Sequence, residues 1–124
     1  MKKRYKVLLI LLILLVLAVV TEPFTHLYHR LADTLIYNNY RHYLPCRALP
    51  DLAEVEAVVA AHADLIARIE AVSPGTVDIE IDSLSCAGKG SVVIYYASKA
   101  DRERIEAILP ERDFFGVPLS LINR

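Results

Sequence analysis

A small α+β domain behind an N-terminal membrane helix is the fold class this sequence predicts. Three patterns carry the expectation. Four cations within the first six residues precede an unbroken apolar run from Val7 to Val20, the pattern of an export or insertion signal. Apolar residues then recur at helical spacing over 51–72. From Val77 the period falls to two, and strand, helix and strand signals follow to the C-terminus.

Basic flanks stay on the cytoplasmic side of a membrane. Lys2, Lys3, Arg4 and Lys6 therefore predict a cytoplasmic N-terminus with residues 22–124 outside. As a helix, the fourteen residues of the apolar run reach roughly 21 Å, short of a hydrocarbon core ~30 Å thick. Tyr5 through Thr21 gives 17 residues, the lower limit for a span, and flanking Lys and Tyr side chains can reach the headgroups. Cleavage wants small residues three and one before the cut. Only Val16-Leu17-Ala18 comes near, and a cut there removes the tail of the run itself. Residues 1–21 are read as an uncleaved single-pass signal-anchor, with a protein secreted after signal cleavage as the alternative. No Cys follows the run closely, so nothing supports a lipid-modified N-terminus.

The overall charge of −1 hides an asymmetry. All 15 acidic residues follow the apolar run, where they meet ten Lys and Arg, a net of −5. Nucleic-acid binding is dominated by cations that neutralise phosphates, so no nucleic-acid partner is expected.

Residues 22–44 read as a mostly helical juxtamembrane segment: Phe24, Leu27, Leu31 and Leu35 form a stripe at spacings of three and four. Pro23 suits a first helical turn. Helix is expected to about Asn38, and residues 36–44, with Tyr37, Tyr40 and Tyr43 three apart, are compatible with helix or strand. Pro45-Cys-Arg-Ala-Leu-Pro50 is a linker into the exported domain, 45–124. Asp51 and Glu54 read as a capping box for one long helix over 51–72, closed by Ser73-Pro74-Gly75. Val77, Ile79 and Ile81 alternate with Asp78, Glu80 and Asp82 as a half-buried strand. Cys86-Ala-Gly-Lys-Gly90 turns the chain into a second strand, Ser91–Ala97. Ser98 and Asp101 open a helix that runs to Leu109, and Phe114–Ile122 reads as one terminal strand, placed at an edge by Pro118. The order is α-β-β-α-β. A strand at 36–44 would make it βαββαβ, the element order of the ferredoxin-like arrangement, which by itself implies no function.

Cys46 and Cys86 are the only thiols, and disulfides persist on the exported side. A helix over 51–72 is about 33 Å long, and the following strand returns nearly that distance. Both cysteines are thus expected at one end of the domain, joined as a structural disulfide without the Cys-x-x-Cys spacing of a redox pair. Asp78, Glu80 and Asp82 put three carboxylates on one strand face at steps of about 7 Å, a solvated face or a weak ligand and cation face. Such spacing alone does not converge three carboxylates on one ion. His26, His29 and Asp33 share a helical stripe but fall short of a full ligand set, so no metal and no cofactor is expected. His62 reads as a border residue of the long helix, and neither it nor His42 has a Ser or Cys partner in the sequence. Gly88-Lys-Gly-Ser91 fails as a phosphate loop, because Gly follows the Lys and a strand follows the loop.

No motif names a reaction. The reading that remains is a non-enzymatic interaction or accessory module, held to the membrane by its N-terminal helix and facing another envelope or membrane protein. The alternative is a small-ligand or divalent-cation-binding module on the exported side.

Overall fold

The computed structural model describes residues 2–124. Helix α1 (Lys2–Thr25) is longer than its apolar run and, at about 36 Å, is long and apolar enough to cross a membrane. A membrane anchor and a signal peptide share that property. Pro23 lies inside its last turn, not at the start of a new helix. The chain breaks at His26, which takes the left-handed conformation (φ 50°). A short α2 (Leu27–Ala32) follows and widens into a π-type turn over Asp33–Tyr37. Asn38, also left-handed, ends the helical stretch.

In residues 45–124 the long helix is divided into α3 (Leu52–Ala61) and α4 (Ala63–Glu70) at His62. The His62 ring turns back to the Val58 carbonyl, 2.8 Å from Nδ1, while its amide donates to Val59 instead. A side chain thus takes the carbonyl that the helical ladder would have used. Periodicity could not show this break, because the ring is also stacked on Phe115, at 3.5 Å between centroids.

Strands β1 (Asp78–Asp82) and β2 (Ser91–Tyr96) pair antiparallel, as the alternation predicts. Helix α5 (Lys99–Ile108) then carries the chain back, and its N-cap Ser98 accepts from the Asp101 amide at 3.1 Å. The terminal run is not one strand. It is a hairpin of β3 (Asp113–Phe114) and β4 (Val117–Asn123). Phe115 and Gly116 form its two-residue turn, both at positive φ, the signature of a primed hairpin turn. Gly is at home there and Phe is not, so the sequence hides the turn; the His62 stack and the Gly116 amide bonded to Asp113 hold it.

The sheet order is β1-β2-β4-β3, with β2 and β4 parallel. The split ferredoxin-like arrangement inserts a strand between the two parallel strands of such a unit. Here they are direct neighbours, and residues 36–44 contribute no strand beyond a single bridge, so the βαββαβ arrangement is not found. β4 is accordingly central, not an edge. Its parallel register begins at Leu119, one residue beyond Pro118, so the missing N–H is tolerated. Tyr40 adds one antiparallel bridge to Leu121 on the far side of β4, with both backbone bonds at 2.7–2.8 Å.

The helices cover one sheet face. Val92, Ile94 and Tyr96 of β2 lie fully buried against Val55, Ile69 and Ile105, and Ile79 and Ile81 share that face through their pairing with Ile94 and Val92. Cys46 and Cys86 are joined as a disulfide, with Cα atoms 5.5 Å apart. Beside it, the Leu52 amide bonds the Gly88 carbonyl and the Gly90 amide bonds the Pro50 carbonyl. Gly90 is required by space: a Cβ there would meet Val55 at 3.2 Å. The Asp51 carboxylate goes to Lys89 Nζ at 2.7 Å and caps no helix, because the loop strand bridged to it offers a cation first.

Candidate functional site

The opposite face of the sheet has no helical cover. The register places Asp78, Glu80 and Asp82 on it, facing Tyr95, Val93 and Ser91 of β2, with Ser120 and Ile122 of β4 beyond. Residues 41–44 form one wall and the Ser83–Cys86 loop the other. They enclose an open groove of about 720 Å³ that also includes Leu49.

The wall is set by residues 37–43, whose bonds to the domain the sequence left open. Asn38 is the anchor. Its carbonyl accepts from the Tyr96 hydroxyl and from Arg102 Nη1 at 2.8 Å, and its side-chain oxygen accepts from the same Nη1 at 2.9 Å. The Asn123 amide donates to Asn39 Oδ1 at 2.7 Å. Asp33 then ties the helical segment to the wall, accepting from Asn39 Nδ2 at 3.2 Å and from the Tyr43 hydroxyl, and forming an ion pair with Arg41 Nε at 3.3 Å. Burial, together with the Asp33 acceptor, pushes the Tyr43 phenol up to about 12.

The three carboxylates are not equivalent. Asp78 lies 3.5 Å from Arg124, whose guanidinium also stacks over Tyr95 at 4.1 Å. Asp82 accepts from the Leu84 amide, the Ser85 amide and the Ser85 hydroxyl at 3.2, 3.1 and 2.6 Å. Partial burial works to raise the Asp82 pKa, but these hydrogen bonds outweigh it and hold the carboxyl below the usual 3.8. Only Glu80 projects freely into the groove. Asp82→Asn is therefore expected to destabilise the domain by about 1–2 kcal/mol, because it weakens hydrogen bonds made to a charge, whereas Glu80→Gln leaves the melting temperature unchanged. Chemical denaturation of both variants checks the contrast; equal effects would mean that all three carboxylates are merely solvated.

His26 and His29 do not converge on a common ion. His29 Nδ1 contacts the Glu22 carboxylate at 2.8 Å, and His26 stacks on Tyr43. Among the described residues no group of three or more His, Cys, Asp and Glu is placed to hold a metal ion.

His42 is the titrating group of the groove wall. Its Nδ1 accepts from the Leu44 amide at 3.0 Å, so the folded wall needs the neutral ring. Burial lowers its pKa from 6.5; Asp82 opposes the shift and Arg41 reinforces it. Because the lowered value means that the unfolded chain binds the extra proton first, stability is full above about pH 6.5 and falls as pH drops below it. Asp82 adds a second loss below its ordinary 3.8. Tyr43, raised, adds an alkaline loss that starts near pH 10. A melting-temperature profile should show the near-neutral limb, and His42→Gln should flatten that limb alone.

No protein-family model matches this chain, and no curated protein and no solved structure matches it either.

Proposed function

We propose that the chain is a membrane-held interaction module without enzymatic activity. Its α1 anchors it, the N-terminal cations stay in the cytoplasm, and residues 22–124 face outside, where another envelope or membrane protein docks on the open sheet face. The observation that carries this reading is the groove itself. Half-buried Val93, Tyr95 and Ile122 line its floor and exposed Leu44 and Leu84 its rim, with the free carboxylate of Glu80 among them. An uncovered, solvent-accessible apolar face is what a protein contact uses. The Cys46–Cys86 disulfide supports an oxidising compartment.

A photo-reactive phenylalanine analogue placed at Glu80 in native membranes should give a discrete cross-linked band, and the same residue at exposed Arg104 on α5 should not. Equal labelling from both positions would refute docking on this face. The second reading, a small-ligand or cation site, draws support from the groove's volume of about 720 Å³, within the range of small-molecule sites. Millimolar Ca²⁺ or Mg²⁺ that raised the melting temperature, with the rise lost in Glu80→Gln, would favour it over the first.

A further inference from the structure

The segment that follows α1 carries a second membrane-facing surface. A groove is shared by Leu15, Ala18 and Val19 of α1 and by Leu27, Tyr28 and Leu31 of α2. In one straight helix Leu15 and Leu31 would be about 24 Å apart, so α2 turns back alongside the end of α1. The Glu22 carboxylate fixes the corner: it accepts from the Tyr28 and His29 amides at 2.8 and 3.2 Å, in the first turn of α2. Whatever medium surrounds the last turns of α1 therefore surrounds α2 as well.

The residues of this segment are sorted by chemistry. Three of its polar side chains, His26, Arg30 and Asp33, turn to the groove wall over 39–43. His26 stacks on the Tyr43 ring at 5.7 Å, the Arg30 guanidinium lies 5.1 Å over the same ring, and Asp33 takes its bonds from Asn39 and Tyr43 and pairs with Arg41. Its apolar side chains are left without a protein partner: Phe24 is 87% exposed, Leu35 77% and Ile36 73%. Tyr28 and Tyr37 flank them, also exposed, and tyrosine favours the headgroup layer.

We infer that residues 24–37 form an interfacial collar whose apolar face lies in the outer leaflet of the lipid bilayer and whose polar face carries the domain. The inference rests on α1 being membrane-embedded, as proposed above. Lipid is the occupant that the continuity of this face with the fully exposed surface of α1 selects. The domain's net charge of −5 opposes direct docking on anionic headgroups, so the collar, and not the sheet, supplies the contact. It sets the domain's height and leaves the groove facing a partner in the same membrane.

The chain contains no Trp, so a single introduced Trp is an unambiguous reporter. The full chain is reconstituted in phosphatidylcholine vesicles carrying brominated acyl chains, with Leu12→Trp, Leu35→Trp or Leu84→Trp. Quenching of Leu35→Trp should approach that of Leu12→Trp and exceed that of Leu84→Trp several-fold. Leu12→Trp quenched while Leu35→Trp matches Leu84→Trp would overturn the collar and leave the anchor standing, the face then being reserved for a protein. Leu12→Trp unquenched would overturn the anchor and the collar together. Strong quenching at Leu84 as well would overturn the assignment of lipid contact to the collar.

Discussion

Reducing or deleting the Cys46–Cys86 bond is expected to lower the stability of the C-terminal domain, 45–124, by about 4 kcal/mol. The bond closes a separation of 40 residues, and on chain-entropy grounds a loop of that length costs the unfolded state that much freedom. The neighbouring contacts do not substitute for it. The Asp51–Lys89 pair is exposed to solvent, where ion pairs contribute little. The two backbone bonds from Leu52 and Gly90 persist only while the loop stays docked. Cys46→Ser and Cys86→Ser should therefore cost the same, and the double variant no more than either single, because all three remove one bond. Denaturant titration checks the equality. Alkylation of unreduced protein checks the bond itself, since two freely labelled thiols would remove its basis.

Arg102→Met is expected to cost about 2–3 kcal/mol, the range for hydrogen bonds to a charged group with a half-buried partner. Its Nη1 bonds both oxygens of Asn38. Without it the Tyr96 hydroxyl alone holds that carbonyl. Local opening should follow the same route: the Tyr40 amide, bonded to the Leu121 carbonyl at 2.8 Å, should exchange much faster with deuterium, while the amides of β2 slow or quicken only with global stability. Unchanged Tyr40 protection would show that the groove wall does not depend on this clamp.

The elements that local pattern governs were legible in the sequence: the apolar run that becomes α1, the alternation that becomes β1, the Ser98 cap of α5, and the shared end of the domain that brings the cysteines together. What escaped was set by distant partners. His62 breaks its helix in company with Phe115, and Phe115 in turn adopts positive φ beneath that ring. The parallel pairing of β2 with β4 places β4 at the centre despite Pro118. The acidic half of the groove could be read from Asp78, Glu80 and Asp82. Its wall could not, because the three-residue spacing of Tyr37, Tyr40 and Tyr43 is settled only by the bonds of Asn38 and Asn39 to α5 and β4. The inequality of the three carboxylates was likewise invisible, since it comes from Arg124 and from the turn that Asp82 closes.

Exposure of the domain outside a membrane tests the account most directly. A protease-cleavable tag placed after Arg124 should be removed by protease added to intact, right-side-out vesicles, while α1 stays in the membrane fraction. A tag protected until the membrane is permeabilised would contradict the account.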